Sequence, residues 1–174
     1  VRAIGLSNES AWGAMKYLEI AKQHDWVKVS TIQNPYNLLN RSYEVGLAEV
    51  SHRENVGLLA YSPMAFGALS GKYILGNSKE RDRLNLWPSY GRYTNELAIE
   101  ATKLYIEVAK KYELSPAQFA LNFVTSRPFV TSNIIGATTI EQLEENIKSI
   151  ERPFTPEMME EVNYIHQLIS NPSP

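Results

Sequence analysis

The sequence has no cysteine, which removes a disulfide framework, a thiolate nucleophile and a Cys-based metal site together. It has almost no net charge: 17 Lys and Arg stand against 19 Asp and Glu, a formal charge of −2. So weak a field condenses onto neither nucleic acid nor an anionic membrane, and the expected partner is a small molecule or another protein. No apolar run approaches the ~20 residues that cross a bilayer, and no secretory signal pattern opens the chain, so the expected compartment is the cytoplasm. Nine Gly and nine Pro are too few and too scattered for a fibrous or low-complexity chain. What is there is ordinary for a packed domain: 44% hydrophobic and 21% charged residues in a chain of 174. The stretch Val1-Arg2-Ala3-Ile4-Gly5-Leu6 reads as a strand with no turn or cap ahead of it, as if cut from something longer.

Four short β-branched, apolar segments predict buried strands at residues 1–6, 29–33, 56–61 and 129–135. Each is followed by turn-forming residues and a helical pattern. Asn8 or Ser10 can cap a first helix with Ala11, Ala14, Met15, Leu18 and Ala21 on one face. A shorter helix carries Tyr43, Leu47 and Val50. A long one carries Leu97, Ala101, Leu104, Val108 and Tyr112 at spacings that suit 3.6 residues per turn. Ser115-Pro116-Ala117-Gln118 is a capping box, and Thr139-Ile140-Glu141-Gln142 repeats it ahead of Leu143, Ile147 and Ile150, predicted to face inward. Thr155-Pro156 opens a last helix with Met159, Val162, Ile165 and Ile169 on one side. The βα alternation means a parallel sheet, its strands covered on both faces. A doubly wound sheet and a (β/α) barrel both fit. No G-x-G-x-x-G follows any strand and there is no G-x-x-x-x-G-K-[ST] loop, which argues against the dinucleotide-binding doubly wound fold. Four βα units make half of a (β/α)₈ barrel, the preferred architecture.

In such a barrel the functional groups sit where strands end. The four ends read Ser7-Asn8, Gln33-Asn34, Tyr61-Ser62 and Gly136-Ala137-Thr138, which are amide, hydroxyl and aromatic groups with no carboxylate and no His. They suit hydrogen bonding to a carboxamide and stacking on a flat ring better than proton transfer, although Ser, Asn and Thr also simply cap helices. His24, His52 and His166 have no ligand spacing around them, so no metal site is expected.

The stretches GLSN at 5–8, QNPYNLLNR at 33–41, AYSPMAFGALSGKY at 60–73 and IIGATTIEQLEEN at 134–146 resemble, in order, the second half of an aldo-keto reductase of the bacterial Tas-type branch. That resemblance implies a (β/α)₈ barrel (TIM barrel), of which residues 1–174 are the C-terminal half, strands five to eight. Residues 65–93 would be a cofactor and substrate loop, and 155–174 a C-terminal helix and tail. It implies that Ser7, Asn8 and Gln33 hold the carboxamide of a nicotinamide dinucleotide and that Tyr61 stacks on the nicotinamide ring. Ser62, Pro63, Met64 and Phe66 would open a loop around the pyrophosphate, with Ser70, Lys72 and Arg83 at phosphates. Gly136, Thr138, Gln142, Glu145 and Asn146 would receive the adenosine end. Many members carry a Lys-Ser pair at the 2′-phosphate and an Arg on the adenine. Gly136-Ala137 and Gln142 stand there here, so NADP(H) is the expected cofactor and NAD(H) the alternative.

The loop at 65–93 has Lys72, Lys79, Arg81, Arg83 and Arg92 against Glu80 and Asp82, an excess suited to a pyrophosphate or to a solvated loop face. Trp87, Tyr90 and Tyr93 could wall a substrate pocket or plug the barrel rim. The resemblance implies reduction of a small carbonyl substrate, an aldehyde or ketone, by hydride transfer. The family's catalytic Asp, Tyr, Lys and His belong to the first half, so no catalytic residue is assigned here. Isolated, the fragment is expected to be inactive, with the N-terminal half of the same barrel as its partner. The alternative is a non-catalytic regulatory subunit that binds the nucleotide.

Overall fold

The computed structural model describes residues 1–88 and 90–174. Strands β1 (Gly5–Ser7), β2 (Thr31–Pro35), β3 (Gly57–Tyr61) and β4 (Val130–Ile134) form one sheet in chain order, every pair parallel. The chain returns between them through α1 (Ala11–Gln23), α2 (Leu47–Glu54) and, from β3 to β4, α3 (Arg83–Leu86), α4 (Glu96–Lys111) and α5 (Pro116–Thr125). Helices α6 (Ile140–Lys148) and α7 (Pro156–Leu168) follow β4. This is the α/β fold that the βα alternation predicts.

The strands shift by a residue or two from their predicted bounds. The largest change is at β1: its ladder with β2 opens only at Gly5 opposite Thr31, and residues 1–4 are exposed. Glycine at the start of β3 is dictated by β4, because a Cβ on Gly57 would sit 1.7 Å from Thr131 Oγ1 and 3.0 Å from its Cβ. The expectation that both sheet faces are covered is wrong. Ile32, Leu58 and Ala60 are buried under the helices, whereas Thr31, Gln33, Gly57, Leu59 and Tyr61, which alternate with them, are half-exposed. The helices pack on one face only.

Ser10, not Asn8, caps α1 by accepting from the Gly13 N–H at 3.1 Å, and Met15 points outward rather than with Ala14 and Leu18. The helix expected around Tyr43 is two pieces, a 3₁₀ turn (Ser42–Val45) and then α2, with Tyr43, Leu47 and Val50 buried. On α4 the buried residues are Ala98, Ala101, Thr102, Tyr105, Ile106, Val108 and Ala109, while Leu97 and Leu104 are exposed. Small side chains let α4 lie close to α5 and α7, and that contact selects the alanine face over the leucine one. The Ser115 capping box of α5 has both its bonds. Its repeat at Thr139 has one, because Gln142 Oε1 turns back to accept from the Thr138 N–H and hydroxyl, each at 3.0 Å. Leu143, Ile147 and Ile150, predicted to face inward, are exposed along with Ile140 at 72%. Nothing among the described residues covers that face of α6. In α7 it is Met158, rather than Met159, that joins Val162 and Ile165 in the core.

Candidate functional site

The C-terminal ends of all four strands open into one groove of about 890 Å³. β1 delivers Ser7 and Asn8, β2 Gln33, β3 Tyr61 through Met64, and β4 Ile134, Ile135 and Gly136. The segment after β3 adds Phe66, Gly67, Ser70, Lys72, Asn77 and Arg83, and α5 and α6 add Ala117, Gln142, Glu145 and Asn146. Every residue that the family resemblance places at a dinucleotide therefore lines this groove except Thr138, which braces Gln142 instead. Asn77, Ala117, Ile134 and Ile135 were not expected. Ala117 comes from the first turn of a helix distant in sequence, and no local pattern marks it.

Two strand ends are tied across the groove. The Tyr61 phenol donates to Asn8 Oδ1 at 2.7 Å, and the Asn8 N–H donates to the Gln33 carbonyl at 3.0 Å. Burial, and then the neighbouring Tyr93 phenol, push the Tyr61 hydroxyl above the usual tyrosine range, only partly offset by Arg92. Tyr61 is therefore a neutral donor with a flat face, not a base. Asn8 itself sits at φ 53°, a left-handed position that Asn tolerates better than most residues.

After β3 the backbone enters the left-handed region again at Ser62 (54°), Ala65 (50°), Phe66 (56°), Gly67 (90°) and Gly71 (80°). Each non-glycine position costs roughly 1–2 kcal/mol. Side chains hold the bend: Asn37 Nδ2 donates to the Ser62 carbonyl at 3.0 Å, and the Ser70 hydroxyl donates to the Gly67 carbonyl at 2.7 Å. The Phe66 ring lies edge-on to Tyr90 and Tyr93, with centroids 5.3 and 5.1 Å away, and carries the Arg83 guanidinium 3.9 Å over its centroid. The segment 65–93, expected as a cofactor and substrate loop, contains two 3₁₀ turns and α3. Trp87, Tyr90 and Tyr93 do not line the groove. Tyr93 is 2% exposed, and it props Phe66 from behind.

Lys72 Nζ lies 2.7 Å from Asp82 Oδ1, and Asp82 Oδ2 accepts from the Lys79 N–H at 2.7 Å. Burial opposes ionisation of Asp82, but these donors outweigh it and hold its carboxyl below the usual range. At the far end of the groove, Asn146 is 5% exposed and its Nδ2 has no protein acceptor, next to the carboxylate of Glu145 in sequence. A buried amide donor in a polar groove is met by water or by an acceptor on a ligand. Among the described residues no group of three or more His, Asp or Glu side chains could hold a metal ion. No helix among them is long and apolar enough to cross a membrane.

Residues 1–167 match the aldo/keto reductase family, and the chain belongs to that family. It is 47% identical over all 174 residues to protein tas of Escherichia coli, covering 50% of that protein. It is 32% identical over 153 residues to the L-glyceraldehyde 3-phosphate reductase of Escherichia coli, 84% of this chain and 44% of that one. Over 168 residues it is 30% identical to a probable voltage-gated potassium channel subunit beta of Oryza sativa, 91% of this chain and 51% of that one. The chain spans about half the length of these curated relatives.

Proposed function

We propose that this chain is strands five to eight of a (β/α)₈ barrel and the dinucleotide-binding half of an NADP(H)-dependent oxidoreductase of the cytoplasm. The complete protein reduces aldehydes or ketones to alcohols. The observation that carries this reading is the single groove onto which all four parallel strands converge, lined by amides, hydroxyls, Tyr61 and two cations. The half-exposed sheet face with Gln33, Leu59 and Tyr61 is what the lumen side of an opened barrel would present. The donor set fits the cofactor: Ser7, Asn8 and Gln33 supply hydrogen bonds at one end, Lys72 and Arg83 positive charge in the middle, and Glu145 and Asn146 an acceptor and an unsatisfied donor at the other. When bound, the reduced nicotinamide supplies the hydride. Tyr61 fixes which ring face is presented, and the acid that protonates the product belongs to the other half of the barrel.

In the complete protein, Gln33→Ala is expected to weaken NADPH binding by roughly 1–3 kcal/mol, because it leaves one side of a buried polar pair unsatisfied. Tyr61→Ala should weaken the same end by removing the platform. Parental affinity in both variants, measured by fluorescence titration, would overturn the assignment. Replacing Lys72 or Arg83 with Met should raise the NADPH dissociation constant, and added salt should then weaken the parent more than either variant. Equal salt slopes would return both residues to the solvated surface. Titrating NADH alongside decides what Gly136-Ala137 means for the 2′-phosphate.

The likeness to the potassium channel subunit supports a second reading, a regulatory subunit that binds the nucleotide without turnover. A carbonyl-dependent oxidation of NADPH by the complete protein separates the two.

A further inference from the structure

Residues 170–174, beyond α7, are fastened at three separate places. The Arg41 N–H donates to Asn171 Oδ1 at 2.6 Å, and the Ser173 N–H donates to the Leu39 carbonyl at 3.1 Å. The Ser173 hydroxyl donates to the Arg92 carbonyl at 2.8 Å. Asn95 Nδ2 reaches the Pro172 carbonyl at 2.9 Å and the Arg92 carbonyl at 2.8 Å. Ser173 is 1% exposed, with both its donors used.

Both of the segments that Ser173 grips lead to the rim of the groove. Leu39 lies in a turn whose N–H donates to Asn37 Oδ1 at 2.9 Å, and Asn37 in turn holds the Ser62 carbonyl. Arg92 is followed by Tyr93, the buried ring that backs Phe66, and Phe66 carries Arg83. The Arg92 carbonyl accepts from the Ser173 hydroxyl on the tail side and from Asn95 Nδ2 on the other.

We propose that this tail is a strap that positions the ligand-facing segment after β3, with Ser173 as a positioning residue for the phosphates of the dinucleotide. The ligand clause rests on the reading of the groove given above; the mechanical clause does not. By holding the Arg92 carbonyl, the strap fixes Tyr93, Phe66 and Arg83 before a ligand arrives, so that less of the binding free energy is spent on ordering them.

The test uses the complete protein with Ser173→Ala, which removes one hydrogen bond and keeps the backbone one. A second variant, Asn95→Asp, keeps the oxygen that caps α4 by accepting from the Ala98 N–H and removes the donor shared by the Pro172 carbonyl of the tail and the Arg92 carbonyl. Without ligand, trypsin should cleave after Lys79, Arg81, Arg83 and Arg92 about fivefold faster in each variant, the effect of losing one hydrogen bond from a segment that opens locally. The NADPH dissociation constant should rise about fivefold for the same reason, while that of reduced nicotinamide riboside, which carries no phosphate, should stay at the parental value. Cleavage at the parental rate in both variants would overturn the strap. So would equal weakening of both ligands together with a lower melting temperature, the signature of a merely structural residue. If the parent binds no NADPH, the reading of the groove fails and the proteolysis still decides the strap.

Discussion

Purified by itself, the 174-residue chain is expected to sediment as dimers and larger species, not as a 19.7 kDa monomer, and to show no carbonyl reductase activity. Among the described residues its sheet ends in β1 on one side and β4 on the other, each with one neighbour. Their outer N–H and C=O groups form a template for another strand. Apolar surface accompanies the edges: Val1 and Ile4 ahead of β1, Ile134 at the end of β4, and Ile140, Leu143, Ile147 and Ile150 are all exposed. Three large aliphatic side chains on α6, with Ile150 just beyond its end, expose more apolar surface than a soluble monomer usually shows. On the half-barrel reading, supplying strands one to four, in the same chain or as a separate piece, should cover both edges. Sedimentation velocity and a thermal melt make the test. A compact monomer that melts cooperatively would overturn the half-barrel reading, and carbonyl reduction by it would place the catalytic groups in this half.

Local chemistry was legible in the sequence wherever neighbouring residues determine the outcome. Ser115 and Gln118 satisfy each other's backbone across three residues, and the cap forms as read. The strand ends are legible for the same reason, since a β-branched run followed by Ser7-Asn8 or Tyr61-Ser62 places those side chains at the C-terminal edge of a parallel sheet. What was not legible depends on residues far apart. The spacing of Leu97, Ala101 and Leu104 allows either of two adjacent helix faces, and only the approach of α5 and α7 chooses. The inward placement of Leu143 and Ile147 failed because amphipathicity shows that a face needs cover, not that cover is present. The charge count of the loop sets Asp82 against five cations, and only the fold shows that its partner is Lys72, ten residues earlier. The hydrogen bonds of Ser173 to Leu39 and Arg92 have no sequence signature at all.

The largest single-residue effect on stability is expected at Glu44. Its carboxylate accepts from Arg41 Nε at 2.9 Å and Nη2 at 2.8 Å, and the Tyr36 phenol donates to the same group. Arg41 is 7% exposed, and its third arm donates to Asn163 of α7 at 3.0 Å, so the pair joins the segment after β2 to the last helix. Burial alone would raise the Glu44 carboxyl. The hydrogen bonds from Arg41 and Tyr36, with the charges of Arg41 and Arg127, outweigh burial and hold it below the usual carboxylate range. Because the folded value lies below the unfolded one, the stabilisation is fully present above the unfolded carboxylate range and is lost as the pH falls through the folded value. His166 adds to the acid sensitivity, since burial and then the Arg41 charge lower its pKa from 6.5 and favour its neutral form. Glu44→Ala strands a buried guanidinium and should cost the complete protein about 3–5 kcal/mol at neutral pH. Glu44→Gln should cost less and should flatten the carboxylate part of the acid limb; the histidine part should deepen, because the Glu44 charge opposes the lowering of His166. Urea denaturation at a series of pH values separates these. A loss below about 1 kcal/mol in Glu44→Ala, within the range of exposed ion pairs, would show that the buried pair contributes no more than one on the surface.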